Sequence, residues 1–383
     1  MTTPAVSHGG MSVDPTSLLG SDSGVGRQLA STVVAIVLGL LVGAVLILLS
    51  SALSEEGLRP LLPIEAYTAL LSGSLGDARG WANTMNSATP LVLAGLSVAF
   101  GFRAGLFNIG AQGQFFLGAF AGAIFGGIAG IPFPVHVAVA VFGGFLLGGL
   151  WGFIPGLLKA WRGAHEVVTT IMLNSIAALG LNWLAATYFR DPGATFPRTR
   201  DALPSALLPT ILEGTKMHAG ILIALAAALA VWFVLFKTTL GFEIRTVGSN
   251  PDAARYAGIR PALITVLTMS IAGGLAGTAG AIEILGITKN YPAEYNTTYG
   301  FDAIAVALLG RAHPFGVVGA ALLFGVLRAG AGAMQRETGI PIDIISVVQG
   351  AIILFVAAEV VIRRLLPRMR RSGQGSAPAP SAA

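Results

Sequence analysis

"STVVAIVLGLLVGAVLILLS", which runs from Ser31 to Ser50, contains no charged side chain. A transmembrane helix needs about 20 consecutive apolar residues to cross the hydrocarbon core of a bilayer. Further long apolar stretches lie at Ala219 to Phe236 and at Ile342 to Ile362. The chain is therefore predicted to cross a membrane several times as α-helices.

The composition supports the same class of protein. Hydrophobic residues make up 54% of the 383 residues and charged residues only 11%, whereas soluble globular chains carry about 25% charged residues. The mean hydropathy is +0.77. We therefore predict an all-α polytopic membrane protein that folds as one helical bundle in a lipid bilayer.

Ten transmembrane helices are predicted within one transmembrane domain, residues 31–362. The first apolar run is interpreted as a retained span and not a signal peptide, because no basic segment precedes it. Residues 1–30 are predicted to be a disordered tail, and residues 363–383 a basic and then disordered tail. The predicted spans are 31–50, 83–102, 105–129, 136–158, 167–189, 218–236, 262–287, 300–310, 315–334 and 341–362.

The distribution of basic residues predicts the orientation. With a cytoplasmic N-terminus, the inner segments hold 14 Lys and Arg residues and the outer segments hold 8. Because basic loops favour the cytoplasm, both termini are predicted to be cytoplasmic. The net charge of +5 is then a sign of orientation and not of nucleic-acid binding. An even number of spans is compatible with two inverted halves of five helices.

Glycine is unusually frequent, with 51 residues in the chain, against a usual share of about 7%. In lipid, close packing replaces the hydrophobic effect between helices, so glycines four residues apart are typical of tight helix contacts. Three such pairs are Gly39 and Gly43, Gly144 and Gly148, and Gly273 and Gly277.

Three amides lie within the apolar stretch "GLFNIGAQGQFFLGAF", Gly105 to Phe120. If the stretch is one helix, Asn108 and Gln112 share a face, and Gln114 is turned by about 200° from Gln112. Asn108 and Gln112 are then predicted to face a path for a polar, uncharged solute. Gln114 is predicted to be a structural amide that bonds a neighbouring helix or free backbone. The alternative is that all three amides hold helices together.

Two carboxylates lie near the predicted outer ends of spans, Glu283 in span seven and Asp302 in span eight, and Arg328 lies within span nine. Charged groups at membrane depth usually face a cavity or a partner of opposite charge. Two interpretations stay open. Glu283 and Asp302 line the solute path, or one of them forms a structural ion pair with Arg328.

The longest polar interruption on the predicted inner side is "KTTLGFEIRTVGSNPDAARYAGIRP", Lys237 to Pro261. Asn250 is suited to cap a helix, Pro251 and Asp252 suit its first turn, and Gly258 suits its end. A short helix on the cytoplasmic surface is therefore predicted. It either docks a cytoplasmic partner or is a plain solvated connector.

Together, "GLFNIGAQGQ", "GFEIRTVGSNPDAARYAGI" and "GFDAIAVALLGRAHPFGVVGAALLFG" resemble the membrane permeases of ABC importers, in the branch that serves ribose-like sugars and nucleosides. The chain is most similar to the longer permease of nucleoside systems. The resemblance implies a permease subunit for nucleosides or related nucleobases that forms half of the translocation pathway, in the bacterial cytoplasmic membrane. It also implies a second, shorter permease, a cytoplasmic ATP-binding subunit and an extracytoplasmic substrate-binding protein.

On this resemblance, residues 237–261 form a coupling loop whose helix sits in a groove of the ATPase. The residues assigned to ATPase coupling are Glu243, Arg245, Asn250, Pro251, Asp252, Ala254, Arg255 and Gly258.

Catalytic chemistry is not expected in this chain. None of its four lysines lies in the Gly-Lys-Ser or Gly-Lys-Thr context of a phosphate-binding P-loop, so ATP and Mg are expected on the partner ATPase. The five histidines are scattered and cysteine is absent, so neither a catalytic nor a metal site is predicted. The alternatives are import of simple sugars and, in another class, an ion-coupled secondary transporter with carboxylates near the midplane.

Overall fold

The computed structural model describes residues 25–53 and 57–372. Within these residues the chain forms thirteen α-helices, a π-helical turn and no strand, with three isolated β-bridges in the loops. The helices are α1 (Val25–Ala52), α2 (Leu62–Leu75), α3 (Ala78–Arg103), α4 (Ala111–Gly126), α5 (Val135–Arg162), α6 (Glu166–Ala186), α7 (Gly220–Lys237), α8 (Thr239–Ser249), α9 (Pro251–Tyr256), α10 (Pro261–Glu283), α11 (Tyr299–Leu309), α12 (Pro314–Thr338) and α13 (Asp343–Ser372), and the π-helical turn is Ile284–Thr288.

The predicted all-α membrane class is confirmed. Seven helices in the described part of the chain are long and apolar enough to cross a bilayer, and two shorter apolar helices accompany them. The seven are α1, α3, α5, α6, α7, α10 with its π-helical turn, and α12; the two shorter ones are α11 and the first half of α13. The number of ten spans therefore stays a prediction.

Two predicted spans differ from the structure. The span predicted at 105–129 is broken, because Gly105 adopts a left-handed φ of 71° after α3 and α4 begins only at Ala111. The span predicted at 300–310 corresponds to α11, whose 11 residues are about 16 Å long at 1.5 Å per residue. This length is about half of a hydrocarbon core of about 30 Å, so α11 is a half-length helix.

Helix α2 was not predicted, because its 14 residues are fewer than the about 20 that cross a hydrocarbon core. It is held by packing on α12. A Cβ on Gly330 would meet the backbone of Leu70, and a Cβ on Gly73 would meet the side chain of Ala333. Tertiary contact therefore decides the place of α2.

The predicted glycine contacts are confirmed. A Cβ added to Gly148 of α5 would meet the backbone of Gly273 and Gly277 of α10, and a Cβ on Gly277 would meet that of Gly144. Gly118 of α4 also packs against Gly277. Helices α4, α5 and α10 thus meet at backbone distance and form the centre of the bundle.

The remaining glycine pair joins the first and last helices. Gly39 of α1 packs against Ile352 of α13, and Gly43 packs against Val348 of α13 and Tyr67 of α2. The predicted tail segments 1–24 and 373–383 lie outside the described residues. Helix α13 continues through most of the predicted basic tail, to Ser372.

Candidate functional site

The N-terminus of α11 is buried at Tyr299 and Gly300 and exposed at Thr298 and Phe301. Gly95 of α3 packs against Val306 of α11, and the Arg103 guanidinium donates from Nε to the carbonyl of Ala312 at 2.9 Å. The two helices therefore run side by side in the same direction. Because α11 is about 16 Å long, its first residues lie about half a bilayer above the level of Arg103.

Gln112 of α4 satisfies the exposed backbone at that N-terminus. Its Oε1 accepts hydrogen bonds from the backbone amides of Gly300, at 2.8 Å, and Phe301, at 3.3 Å. Its Nε2 donates to the carbonyl of Thr297 at 2.5 Å. The first N–H groups of a helix have no partner within the helix, and lipid provides none. A side chain from another helix therefore caps α11.

Asn174 of α6 does the same for α4. Its Oδ1 accepts from the backbone amide of Gly113 at 2.8 Å, and its Nδ2 donates to the carbonyl of Ile109 at 2.9 Å. The sequence analysis did not identify Asn174. The available signal was two amides, Asn174 and Asn182, on one face of an apolar helix, which by itself does not indicate what they bond.

The predicted shared face of Asn108 and Gln112 is wrong. Because the helix is broken before Ala111, Asn108 belongs to the loop and turns back toward Gln114. Asn108 Nδ2 donates to Gln114 Oε1 at 2.8 Å and Gln114 Nε2 donates to Asn108 Oδ1 at 3.1 Å. Asn108 also contacts Ser97 Oγ at 3.3 Å. Asn108 and Gln114 are fully buried, so both are engaged in the loop.

An open cavity of about 440 Å³, lined by polar and aromatic side chains, lies where these broken helices meet. Its volume is within the usual range of small-molecule sites, about 300–1,000 Å³. It is lined by Gln112, Phe116, Asn174, Ser175, Ala178, Asn182, Glu294, Tyr295, Asn296, Thr297, Thr298 and Phe301. We call it the transit cavity. Of the four residues predicted to line the solute path, Gln112 lines it, whereas Asn108, Glu283 and Asp302 do not.

The predicted ion pair with Arg328 is formed by Asp302. Arg328 Nη1 lies 3.2 Å from Asp302 Oδ2, and the Arg328 guanidinium lies 4.1 Å from the centroid of the Tyr299 ring. Thr298 Oγ1 donates to the same carboxylate oxygen at 2.9 Å. These contacts tie the first turn of α11 to α12.

Glu283, at the end of α10, is buried in the same neighbourhood, with 8% of its surface exposed. Its carboxyl group interacts electrostatically with the Arg328 guanidinium and with the hydroxyl groups of Tyr295 and Tyr299. Among the described residues it forms no hydrogen bond or ion pair. Arg328 therefore forms its ion pair with Asp302 and not with Glu283.

The predicted short helix is confirmed as α9, and its cytoplasmic location stays a prediction. Asn250 Oδ1 accepts from the backbone amides of Asp252 and Ala253, both at 3.0 Å, and Pro251 is the first helical residue. Gly258, with a left-handed φ of 80°, follows the helix end. Arg255 pairs with Asp252 at 2.9 Å on the exposed surface.

Helix α8, which precedes α9, was not predicted. Gly241, Ile244 and Val247 are buried along one side, which fits an amphipathic helix on the membrane surface. Arg245 lies over the Phe236 ring of α7, with its guanidinium 5.3 Å from the ring centroid. Glu243 is only partly exposed.

A cluster of basic and aromatic side chains fixes α8 to the transmembrane helices. Arg103 lies at the same distance as Arg245 from the Phe236 centroid, 5.3 Å. The His313 ring lies 5.5 Å from Phe236. Burial, and then the charge of Arg103, lower the pKa of His313 below its usual value. His313 therefore stays neutral in this cationic cluster near pH 7.

The exposed side of the α8–α9 segment differs from its buried side. Ala254 is fully buried and faces the body of this chain. Phe242 and Tyr256 are exposed by 58% and 95%, although both are large and aromatic. Exposed aromatic side chains next to charged ones are typical of surfaces that bind a partner.

The transit cavity lies beside the first turns of α4 and α11. Each of these helix ends is capped by an amide side chain from a neighbouring helix. Irregular backbone at membrane depth is tolerated where it is buried in protein or lines a cavity, and broken helices are typical of solute binding sites in transporters. The fold and the site therefore define a multi-span membrane permease.

The chain belongs to the family described as branched-chain amino acid transport system / permease component, which matches residues 80–357. It is 40% identical over 344 residues to the guanosine ABC transporter permease protein NupP of Bacillus subtilis, covering 89% of this chain and 96% of that protein. It is 36% identical over 354 residues to the nucleoside ABC transporter permease protein NupB of Lactococcus lactis, covering 90% and 94%.

A sugar permease is also similar. The glucose ABC transporter permease protein TsgB13 of Haloferax volcanii is 32% identical over 312 residues, which cover 79% of this chain and 82% of that protein. Shorter permeases of the Bacillus guanosine and Lactococcus nucleoside systems match less of this chain, each at 28% identity. The predicted resemblance to ABC importer permeases is confirmed.

Proposed function

We propose that this chain is the transmembrane permease subunit of an ATP-driven ABC importer for nucleosides or related nucleobases. The observation that carries the proposal is the transit cavity, which combines neutral amide and hydroxyl groups with aromatic rings. Nucleosides offer the matching groups, since they have a planar base and several hydroxyls. The similarity to the guanosine permease supports the same substrate class.

The proposed topology has ten membrane spans with both termini in the cytoplasm, in two inverted halves. The excess of basic residues on the inner side supports the orientation. On this topology α11 and α4 meet inside the membrane, and the chain lies in the cytoplasmic membrane of a bacterial cell as half of the translocation pathway.

Three protein partners are proposed: a second permease, a cytoplasmic ATP-binding subunit and an extracytoplasmic substrate-binding protein. The shorter permeases of the nucleoside systems support a second, different permease subunit. ATP and Mg are assigned to the ATP-binding subunit, and this chain is proposed to have neither a catalytic nor a metal site.

The proposed ATPase contact is the exposed side of the α8–α9 segment. Arg255 and Tyr256 contact the ATPase directly, because they point away from the chain. Asn250 and Gly258 define the two ends of α9. Ala254 contributes by seating α9 on the permease itself, since its side chain is buried.

Import of a simple sugar is a second candidate function, favoured by the similarity to the glucose permease. The two substrates differ in the planar base, and the cavity contains three aromatic side chains in its wall, Phe116, Tyr295 and Phe301. Aromatic side chains stack on nucleobases. A nucleoside is therefore expected to bind these three side chains more strongly than a monosaccharide, which has no base.

Uptake into proteoliposomes tests the proposal. The complete complex, with the second permease, the ATPase and the binding protein encoded with it, is reconstituted and given radiolabelled guanosine or ribose. We expect guanosine uptake that requires ATP and is blocked by vanadate. Uptake of ribose alone would favour the sugar importer, and uptake driven by an ion gradient without ATP would contradict the ABC mechanism.

A further inference from the structure

The polar side chains of the transit cavity fall into two groups. Gln112 and Asn174 are engaged with backbone groups of the broken helices. In contrast, Asn182 Oδ1 and Thr297 Oγ1 are buried and have no hydrogen-bond partner within residues 25–53 and 57–372. Leaving a buried polar atom unpaired costs about 1–3 kcal/mol. These two atoms therefore have hydrogen-bonding capacity that the described residues leave unused.

The position of Asn182 on α6 directs it into the cavity. Asn174, Ala178 and Asn182 are spaced by four residues, so they share one face of the helix, and all three line the cavity. The opposite face carries large apolar side chains, with Ile176 exposed by 55% and Trp183 by 56%. The polar stripe of α6 thus points to the cavity while its apolar side is left to lipid or to a partner.

Three aromatic side chains also line the cavity. Phe116 and Tyr295 pack with their ring centroids 6.0 Å apart, and Phe301 is the third. Glu294 is the only charged residue among the twelve that line the cavity. A planar, uncharged ring with donors and acceptors on its edge matches a lining of aromatic rings and neutral amides.

The amide of Asn182 has a donor and an acceptor side by side. This arrangement forms paired hydrogen bonds with a purine edge that presents an acceptor next to a donor, as in the recognition of adenine by Asn. Guanine, which has O6 next to N1–H, and adenine, which has N7 next to N6–H, both present such an edge.

We infer that the transit cavity binds the base of a nucleoside in transit, with Asn182 pairing with the base edge and Thr297 donating or accepting one further hydrogen bond. The inference rests on the proposed nucleoside import and adds to it the residues that recognise the base. Asn182 is thereby a specificity-determining residue on the membrane path, downstream of the binding protein.

Cysteine protection tests the inference directly, because the chain contains no cysteine. Asn182→Cys and Thr297→Cys are introduced separately, and the complete complex in nanodiscs is modified with a small methanethiosulfonate reagent. Glu213→Cys is the matched control, since Glu213 is exposed and does not line the cavity. The modification rate of this chain is measured without solute, with guanosine and with ribose.

We expect guanosine at five times its dissociation constant to slow modification of both cavity variants about sixfold, by simple mass action. Ribose should have no effect on either, and Glu213→Cys should react at the same rate throughout. Protection by ribose and guanosine alike would overturn the assignment of the base. An unchanged rate with guanosine would overturn the inference, as would failure of both cavity variants to react at all.

Wild-type uptake separates this inference from the proposed function. If the wild-type complex imports guanosine and guanosine gives no protection, the cavity assignment fails and nucleoside import stands. If the wild-type complex imports no nucleoside with ATP, the proposed function fails and the inference fails with it. A second variant, Asn182→Leu, removes both paired hydrogen bonds and should lower guanosine uptake at subsaturating concentration about thirtyfold, the effect of two lost hydrogen bonds of about 1 kcal/mol each. Ile176→Ala, on the opposite face of α6, should leave uptake unchanged.

Discussion

Gln112 Oε1 accepts a hydrogen bond of 2.8 Å from the backbone amide of Gly300, which joins the first turn of α4 to the first turn of α11. The two residues are 188 positions apart in the chain. The same side chain donates to the carbonyl of Thr297. One amide thus forms hydrogen bonds with the backbone before α11 and with the backbone of its first turn. The break is therefore a fixed part of the fold.

Replacement of Gln112 tests this capping role. Gln112→Leu removes all three hydrogen bonds and leaves buried backbone groups unpaired, at about 1–3 kcal/mol each. Gln112→Glu keeps the acceptor for Gly300 but loses the donor to Thr297. We expect the melting temperature of the purified permease to fall in the order wild type, Gln112→Glu, Gln112→Leu. Equal melting temperatures for Gln112→Leu and wild type would show that the cap does not stabilise the fold.

The close approach at Gly300 predicts a strong effect of a single methyl group. A Cβ at Gly300 would meet the backbone of Ala111 and Gln112, which has no room to move. Gly300→Ala should therefore destabilise the protein by about 1–3 kcal/mol, as overpacking usually does. The control is Gly319→Ala in α12, where nothing lies within 4 Å of the added atom. Resistance to thermal aggregation should fall for the first variant only.

Asn108 and Gln114 should behave as one unit. Each amide uses the other as donor and acceptor, so loss of either leaves the other without its partner. Asn108→Leu and Gln114→Leu should each lower stability by about 1–3 kcal/mol, and the double variant should cost less than the sum of the two. Thermal unfolding of the four proteins gives the coupling. If the stability losses of the two single variants added up to that of the double variant, the two amides would not interact as a pair.

Substitutions on the exposed side of α9 should weaken ATPase binding, whereas substitutions on its buried side should lower the stability of the permease. Tyr256→Ala is expected to weaken pull-down of the ATPase at unchanged melting temperature, because Tyr256 is 95% exposed. Ala254→Leu is expected to lower the melting temperature of the permease itself, because Ala254 is buried. Asn250→Ala removes the helix cap and should cost about 1 kcal/mol. If Tyr256→Ala and Arg255→Glu both retained full ATPase binding, the coupling assignment would be wrong.

The topology is tested by labelling of single cysteines. An impermeant reagent added to intact cells should modify Glu213→Cys, in the loop before α7, and miss Tyr256→Cys, in α9. Both positions are exposed, so a difference in labelling reports the side of the membrane and not burial. Permeabilised cells provide the control, in which both variants should react. The opposite pattern in intact cells would reverse the orientation.

The sequence by itself determined the class of the protein. An uninterrupted apolar run such as Ser31 to Ser50 forms a helix in lipid, because a helix satisfies all of its backbone hydrogen bonds within the segment. The caps of α9 were also predictable, because Asn250, Pro251 and Gly258 act on backbone within a few residues of themselves. The glycine spacing in α5 and α10 predicted close packing for the same local reason.

The tertiary structure alone decided where the chain breaks and which amides meet. The stretch from Gly105 to Phe120 is apolar enough to continue as a helix, and its spacing predicted a shared face for Asn108 and Gln112. Asn174 bonds the backbone on both sides of the break before Ala111, and Gln112 does so at the break before α11. Such bonds join residues distant in the chain, and periodicity contains no information about them. The same holds for the transit cavity, which exists only where α4, α6 and the segment before α11 come together.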